Sequence, residues 1–131
     1  MLGGSSGVGK TSLALEVARR LGISRVLSTD SIRQVMRLTL SPELMPSIHA
    51  SSFEAHRSIA NATGQTEAAE SDVVDGFMNQ ASLVSVGVRA MIERAIEEST
   101  SMVLDGVSLV PGLIDLNAFA EDAHVIYLVV A

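Results

Sequence analysis

The sequence predicts an α/β protein of three layers, α/β/α around a parallel sheet, and three observations carry that expectation. Short apolar runs alternate with stretches of helical periodicity along 131 residues, the pattern of parallel strands joined by crossover helices. A glycine-rich segment, Gly4-Ser5-Ser6-Gly7-Val8-Gly9-Lys10-Thr11, lies between the first apolar run and the first helical one. The length suits one domain of common size and is too short for two with separate cores.

The elements follow in order. Residues 1 to 4 read as the end of a strand. A helix is expected from about Thr11 to Leu21, with Leu13, Ala14, Val17, Ala18 and Leu21 at helical spacing and Gly22 as its C′ residue. A short β-rich run covers Arg25 to Thr29, and Ile32, Val35, Met36 and Leu40 then continue at helical spacing, with Thr29 or Asp30 as N-cap. Pro42 and Pro46 break the chain into a loop, followed by a weakly helical stretch from about 47 to 61 and a breaker at Thr63, Gly64 and Gln65. A long helical region is predicted from about 67 to 99, burying Val73, Val74, Phe77, Met78, Ala81, Val84, Val88, Met91, Ile92, Ala95 and Ile96, with Gly76 and Gly87 placed to divide or bend it. A third strand over 101 to 104 ends at Asp105-Gly106, Pro111-Gly112 mark a turn, and a helical piece near 114 to 121 leads to a fourth strand, His124 to Val130, apolar throughout and expected to be buried. A strand needs about five residues, and the first is shorter while the last closes the chain. The single domain, residues 1 to 131, is therefore expected to be incomplete at both edges of its sheet.

Composition narrows the function classes. The chain is 47% hydrophobic and 18% charged with 3 prolines, which is globular and not disordered. Without cysteine there are no disulfides, thiolate metal sites or cysteine nucleophiles. No apolar run approaches the roughly 20 residues that span a bilayer, and no signal-type segment opens the chain, so a soluble, cytoplasmic protein without membrane partners is expected. Three Phe, one Tyr and no Trp, with a net charge of −6, count against binding long nucleic acid. The total conceals an asymmetry: residues 1–65 carry 7 basic and 4 acidic side chains, residues 66–131 carry 2 and 11.

The chemistry concentrates in few residues. Gly4 to Thr11 fits G-x-x-x-x-G-K-S/T between a strand and a helix, a loop whose backbone N–H groups and helix dipole cradle an anion. By chance its four fixed positions would coincide in roughly one chain of this length in a hundred. Lys10 adds a point charge for the phosphates and the Thr11 hydroxyl suits Mg²⁺. Lys10 is also the only lysine beside eight arginines, and a compact ammonium is not interchangeable with a guanidinium fork. Asp105 closes an apolar strand, where an acid can stand near Mg²⁺ or serve turn chemistry with Gly106. Asp30 and Arg33 are three apart at the start of a helix. They can face one cleft, the carboxylate accepting a hydroxyl proton and the arginine holding an acceptor anion, or form a cap and a helix salt bridge. Arg37, one turn on, is a candidate for the same anion site. His49, His56 and Arg57 are weaker candidates for the substrate, and the spacing of the histidines matches no metal site.

Together the segments GGSSGVGKTSLALEVARRLGI, RVLSTDSIRQVMR, HASSFEAHR and VLDGVSLVPGLI resemble the 2-phosphoglycerate kinase family, P-loop kinases that phosphorylate 2-phosphoglycerate to 2,3-bisphosphoglycerate with ATP. The resemblance covers most of the chain and is weakest between about 65 and 79. It implies a P-loop NTPase-like fold of kinase type. It also implies ATP held by Gly4, Ser5, Ser6, Gly7, Val8, Gly9, Lys10, Thr11 and Ser12, and Mg²⁺ held through Thr11 and Asp105. Lys10, Asp30 and Arg33 become the catalytic candidates, with Arg33 and Arg37 on the substrate phosphate. Two positions depart from the family: a glutamate often stands at the place of Asp105, and a histidine at that of Ser108. Kinases of this fold continue into an arginine-bearing lid, so a chain ending at Ala131 is expected to transfer phosphate poorly. Two other readings stay open: a nucleotide-binding regulatory module without kinase activity, and a polynucleotide 5′-kinase-like enzyme.

Overall fold

The computed structural model describes residues 1–50 and 70–131. Strands β1 (Leu2–Gly4), β2 (Arg25–Ser28), β3 (Met102–Asp105) and β4 (Leu128–Val130) alternate with helices α1 (Lys10–Leu21), α2 (Thr29–Thr39), α3 (Pro46–His49) and α4 (Glu70–Glu97), and a 3-10 helix covers Leu116–Phe119. All pairings are parallel, and the sheet order is β2-β3-β1-β4.

Successive strand residues point to opposite faces, and β3 supplies one to each layer. Val103 packs with Leu2, Ala14 and Ala18 beneath α1, while Leu104 packs with Ile32 of α2 and Val84, Val88 and Ile92 of α4 on the other face. The three-layer α/β/α arrangement expected from the sequence is thus present. At roughly 25 cal/mol per Å² of apolar surface, these two seams supply the main stabilisation.

Several details differ from the expectation, each for a local reason. After Lys10, the contact seam of α1 consists of Ala14 and Ala18, small side chains that let the helix lie close to the sheet. Leu13 and Leu21 are therefore exposed. The N-cap of α2 is Ser28, whose hydroxyl accepts from the Ser31 N–H, so the helix starts at Thr29 and Asp30 falls inside its first turn. Val35 points to solvent on the outer side of α2. Pro46 begins α3 instead of breaking the chain, since its fixed φ and missing N–H suit a first helical position.

Helix α4 runs through Gly76 and Gly87 without division. A Cβ at Gly87 would stand 2.5 Å from Ile32 Cγ2, so this glycine serves the close approach of α2 and α4. Val73 and Val74, at the start of α4, are exposed. The fourth strand is shorter than expected and its Leu128 and Val129 are exposed, because β4 lies at an edge with β1 as its one strand partner. The weak helix expected over 47 to 61 is described only as far as α3, and the rest of it, with the breaker at 63 to 65 and with His56 and Arg57, lies outside the described residues. Among the described residues, no helix is long and apolar enough to cross a membrane.

Candidate functional site

The strand order determines where a site can form. The chain leaves β1 toward β2 on one side, and leaves β3 toward β4 on the other, so the loops after β1 and β3 part company and open a crevice at the carboxyl edge. Leu2 is opposite Asp105 in the register, and Ser28 is opposite Asp105 from the other side. Asp105 is therefore flanked by β1, which leads into the glycine-rich loop, and by the last residue of β2, which caps α2.

Within that loop, Gly7 and Gly9 adopt φ of 80° and 81°, a left-handed conformation that glycine takes without steric cost. Gly4 meets a different demand: a Cβ there would overlap the Val130 carbonyl of β4. Gly9 is the N-cap of α1 and supplies no side-chain cap, and the first turn holds no acidic residue. The opening N–H groups of α1 thus keep their positive dipole end for an anion. Lys10, on the buried seam of α1, is 7% exposed, and its Nζ donates to the Ser5 carbonyl, which closes the lysine over its own loop.

The next residue reaches across the crevice. Thr11 Oγ1 donates to Asp105 Oδ2 at 2.8 Å, joining the start of α1 to the end of β3, and Asp105 is 2% exposed. Gly106 follows at φ 151°, where a Cβ would overlap Thr29 Oγ1. The Asp-Gly pair therefore does more than turn the chain: it lets an acid and the start of α2 occupy the same end of the sheet.

Asp30 and Arg33 are brought together as an ion pair, Nη2 to Oδ1 at 3.2 Å, with Asp30 largely exposed and Arg33 mostly covered. The guanidinium also donates through Nη1 to the Ala50 carbonyl at 2.7 Å. Arg37 lies one turn later in the last turn of α2, half-buried. His49 is spent structurally, its Nε2 at 2.7 Å from the Leu40 carbonyl.

A cavity of about 430 Å³ lies beside the loop, lined by Ser5 and Ser6 on one side and by Phe77, Val110, Pro111 and Tyr127 among others. Tyr127 donates to the Leu109 carbonyl at 2.6 Å, and burial raises its phenol above the ordinary value of 10.0. Neither Asp30 nor Arg33 is part of that lining.

Sequence reasoning missed Gln80, which is fully buried, and read Thr29, also fully buried, only as a candidate helix cap. A glutamine in a helix reads as a solvent-facing residue, and the signal that could have found it is its place between Phe77 at i−3 and Val84 at i+4, on the apolar side of α4.

A parallel α/β sheet with a G-x-x-x-x-G-K-T loop at its switch point defines a fold of the P-loop kind. The chain is similar to proteins named 2-phosphoglycerate kinase. It is 42% identical over 132 aligned positions to that of Pyrococcus furiosus, covering 100% of this chain and 41% of the relative. It is 49% identical over 114 positions to that of Methanothermobacter thermautotrophicus, covering 87% and 36%, and 36% identical over 128 positions to that of Methanocaldococcus jannaschii, covering 98% and 39%. By sequence, nearly all of this chain is a relative of the 2-phosphoglycerate kinases, and it spans about two fifths of their length. No protein-family model and no solved structure matches it.

Proposed function

We propose that the crevice binds a Mg²⁺–nucleotide, with ATP as donor, and serves transfer of a phosphoryl group to a hydroxyl of a small phosphorylated acid, 2-phosphoglycerate. The observation that carries this is the 2.8 Å hydrogen bond from Thr11 to Asp105 beside the uncapped start of α1. It puts two hard oxygen donors at the place where the loop would present β- and γ-phosphates.

The donor set fits Mg²⁺. Among the described residues no three His, Cys, Asp or Glu side chains converge on a metal position. Mg²⁺ does not need them, because it is ordinarily held by one or two protein oxygens together with phosphate oxygens and water. Thr11 and Asp105 would hold it, and bound Mg²⁺ would supply charge neutralisation across the β- and γ-oxygens. Ser5 through Ser12 enclose the phosphates with backbone N–H groups, and Lys10 exchanges its bond to the Ser5 carbonyl for a phosphate oxygen. These groups are fixed before the reaction, which is where the rate of phosphoryl transfer chiefly comes from.

On the acceptor side Arg33 pairs with the phosphate of the acid, Asp30 orients the hydroxyl, and Arg37 adds positive charge. Among the described residues the cavity lining holds no cationic side chain for a polyanionic acid, which is why the acceptor is assigned to the Arg33 side. The kinase name of the relatives supports this reading over a purely regulatory module. A kinase of small metabolites, with no membrane-spanning helix described, suits the cytoplasm.

Titration calorimetry tests it. The chain is expected to bind 2-phosphoglycerate in the presence of Mg²⁺ and a non-hydrolysable ATP analogue, and Arg33→Ala is expected to weaken the acid measurably, by about a hundredfold, while keeping the nucleotide. Nucleotide binding without affinity for any phosphorylated acid would favour the regulatory module instead.

A further inference from the structure

Resting on the acceptor side proposed above, we infer that Gln80 is a positioning residue that sets the guanidinium of Arg33. Gln80 is fully buried on α4 next to Ala81 and one turn from Val84, also fully buried. An amide on such a face is costly unless its hydrogens are bonded. Its Nε2 donates to the Ser47 carbonyl at 2.6 Å and to the Ala50 carbonyl at 3.0 Å, the first within α3 and the second at its C-cap. The same Ala50 carbonyl accepts from Arg33 Nη1 at 2.7 Å.

Two donors from two helices thus converge on one carbonyl oxygen, and the place of that oxygen is set by the buried amide. Ser47 Oγ donates to Asn79 Oδ1 at 2.9 Å, a second tie that keeps α3 on α4. On the opposite side Asp30 holds Nη2. The guanidinium is therefore fixed at two nitrogens, and its Nε is buried with no hydrogen-bond partner among the described residues. Two fixed nitrogens set the plane of the fork, and that orientation decides how well the guanidinium meets an anionic oxygen. Gln80 touches no reacting group in this scheme. It acts through Ala50 and Arg33.

The test is a double-mutant cycle on the chain, with 2-phosphoglycerate and, separately, a Mg²⁺–non-hydrolysable ATP analogue as calorimetric probes. Two variants remove the amide donor, Gln80→Met at similar volume and Gln80→Glu at the same shape, so that a failure of one to fold leaves the other. Either is expected to weaken the acid about tenfold or more and to leave the nucleotide within about twofold. Combined with Arg33→Ala, the substitution is expected to add no further loss, because its whole effect passes through the guanidinium. Additive losses, acid and nucleotide affinity falling together, or undiminished acid binding would overturn the role of Gln80 while the acceptor reading stands. No acid binding by the unsubstituted chain would overturn both.

Discussion

Gly106 illustrates how much of the site is decided by single residues. At φ 151°, with Thr29 where its Cβ would be, it is the one residue type that lets the Asp105 carboxylate and the start of α2 lie side by side. Gly106→Ala is expected to destabilise the fold by about 2 kcal/mol or more and to loosen the Thr11–Asp105 contact. Urea denaturation checks the first, and an unchanged midpoint would show that Thr29 yields without cost. At this scale the sequence was most legible where a motif has a fixed spacing, since Lys10 and Thr11 do open α1 after the glycine-rich loop. Asp105, read from the end of an apolar strand, stands beside Thr11; their roles toward nucleotide and Mg²⁺ stay a proposal. It was least legible where a residue's meaning depends on a distant partner. Gln80 is polar in a helix and acquires its role only because the carbonyls of Ser47 and Ala50 meet it. The site roles of Asp30 and Arg33 stay a proposal, because i,i+3 spacing supports a local ion pair as readily as an acceptor site.

Helices and strands were legible to different degrees. The extents of α1 and α4 follow from periodicity and from Gly22, which closes α1 in the left-handed conformation at φ 67°. The buried side of α4 stops short of the expected Val73 and Val74, and Leu13 and Leu21, at helical spacing on α1, are exposed, since periodicity reveals that a face is apolar but not how closely the neighbouring layer approaches. The apolar run 124 to 130 has the same limitation: its exposure at the edge depends on which strands pair with it. Gly87 is the sharpest case. In an isolated helix Gly87→Ala would gain about 1 kcal/mol. Here the added Cβ meets Ile32, a buried β-branched side chain with little rotamer freedom, and the substitution is expected to destabilise the protein by roughly 1–2 kcal/mol. A raised thermal midpoint in Gly87→Ala would contradict the close packing of α2 on α4.

In the whole molecule, strand order turns a linear motif into a crevice. Alternation of strands and helices predicts a parallel sheet, but nothing local in the sequence says that β3 inserts between β2 and β1. That insertion brings an acid from the acidic second half of the chain to a threonine from the basic first half, 94 residues apart. The relatives named 2-phosphoglycerate kinase support the proposal that this crevice serves phosphoryl transfer. Calorimetric titration of a non-hydrolysable ATP analogue with and without Mg²⁺ tests this directly. The unsubstituted chain is expected to bind it more tightly with Mg²⁺, by about tenfold, Asp105→Asn to lose that Mg²⁺-dependent gain, and Lys10→Met to lose most affinity under both conditions while remaining folded. Equal affinity with and without Mg²⁺, or a Lys10→Met chain that binds as the original does, would contradict it.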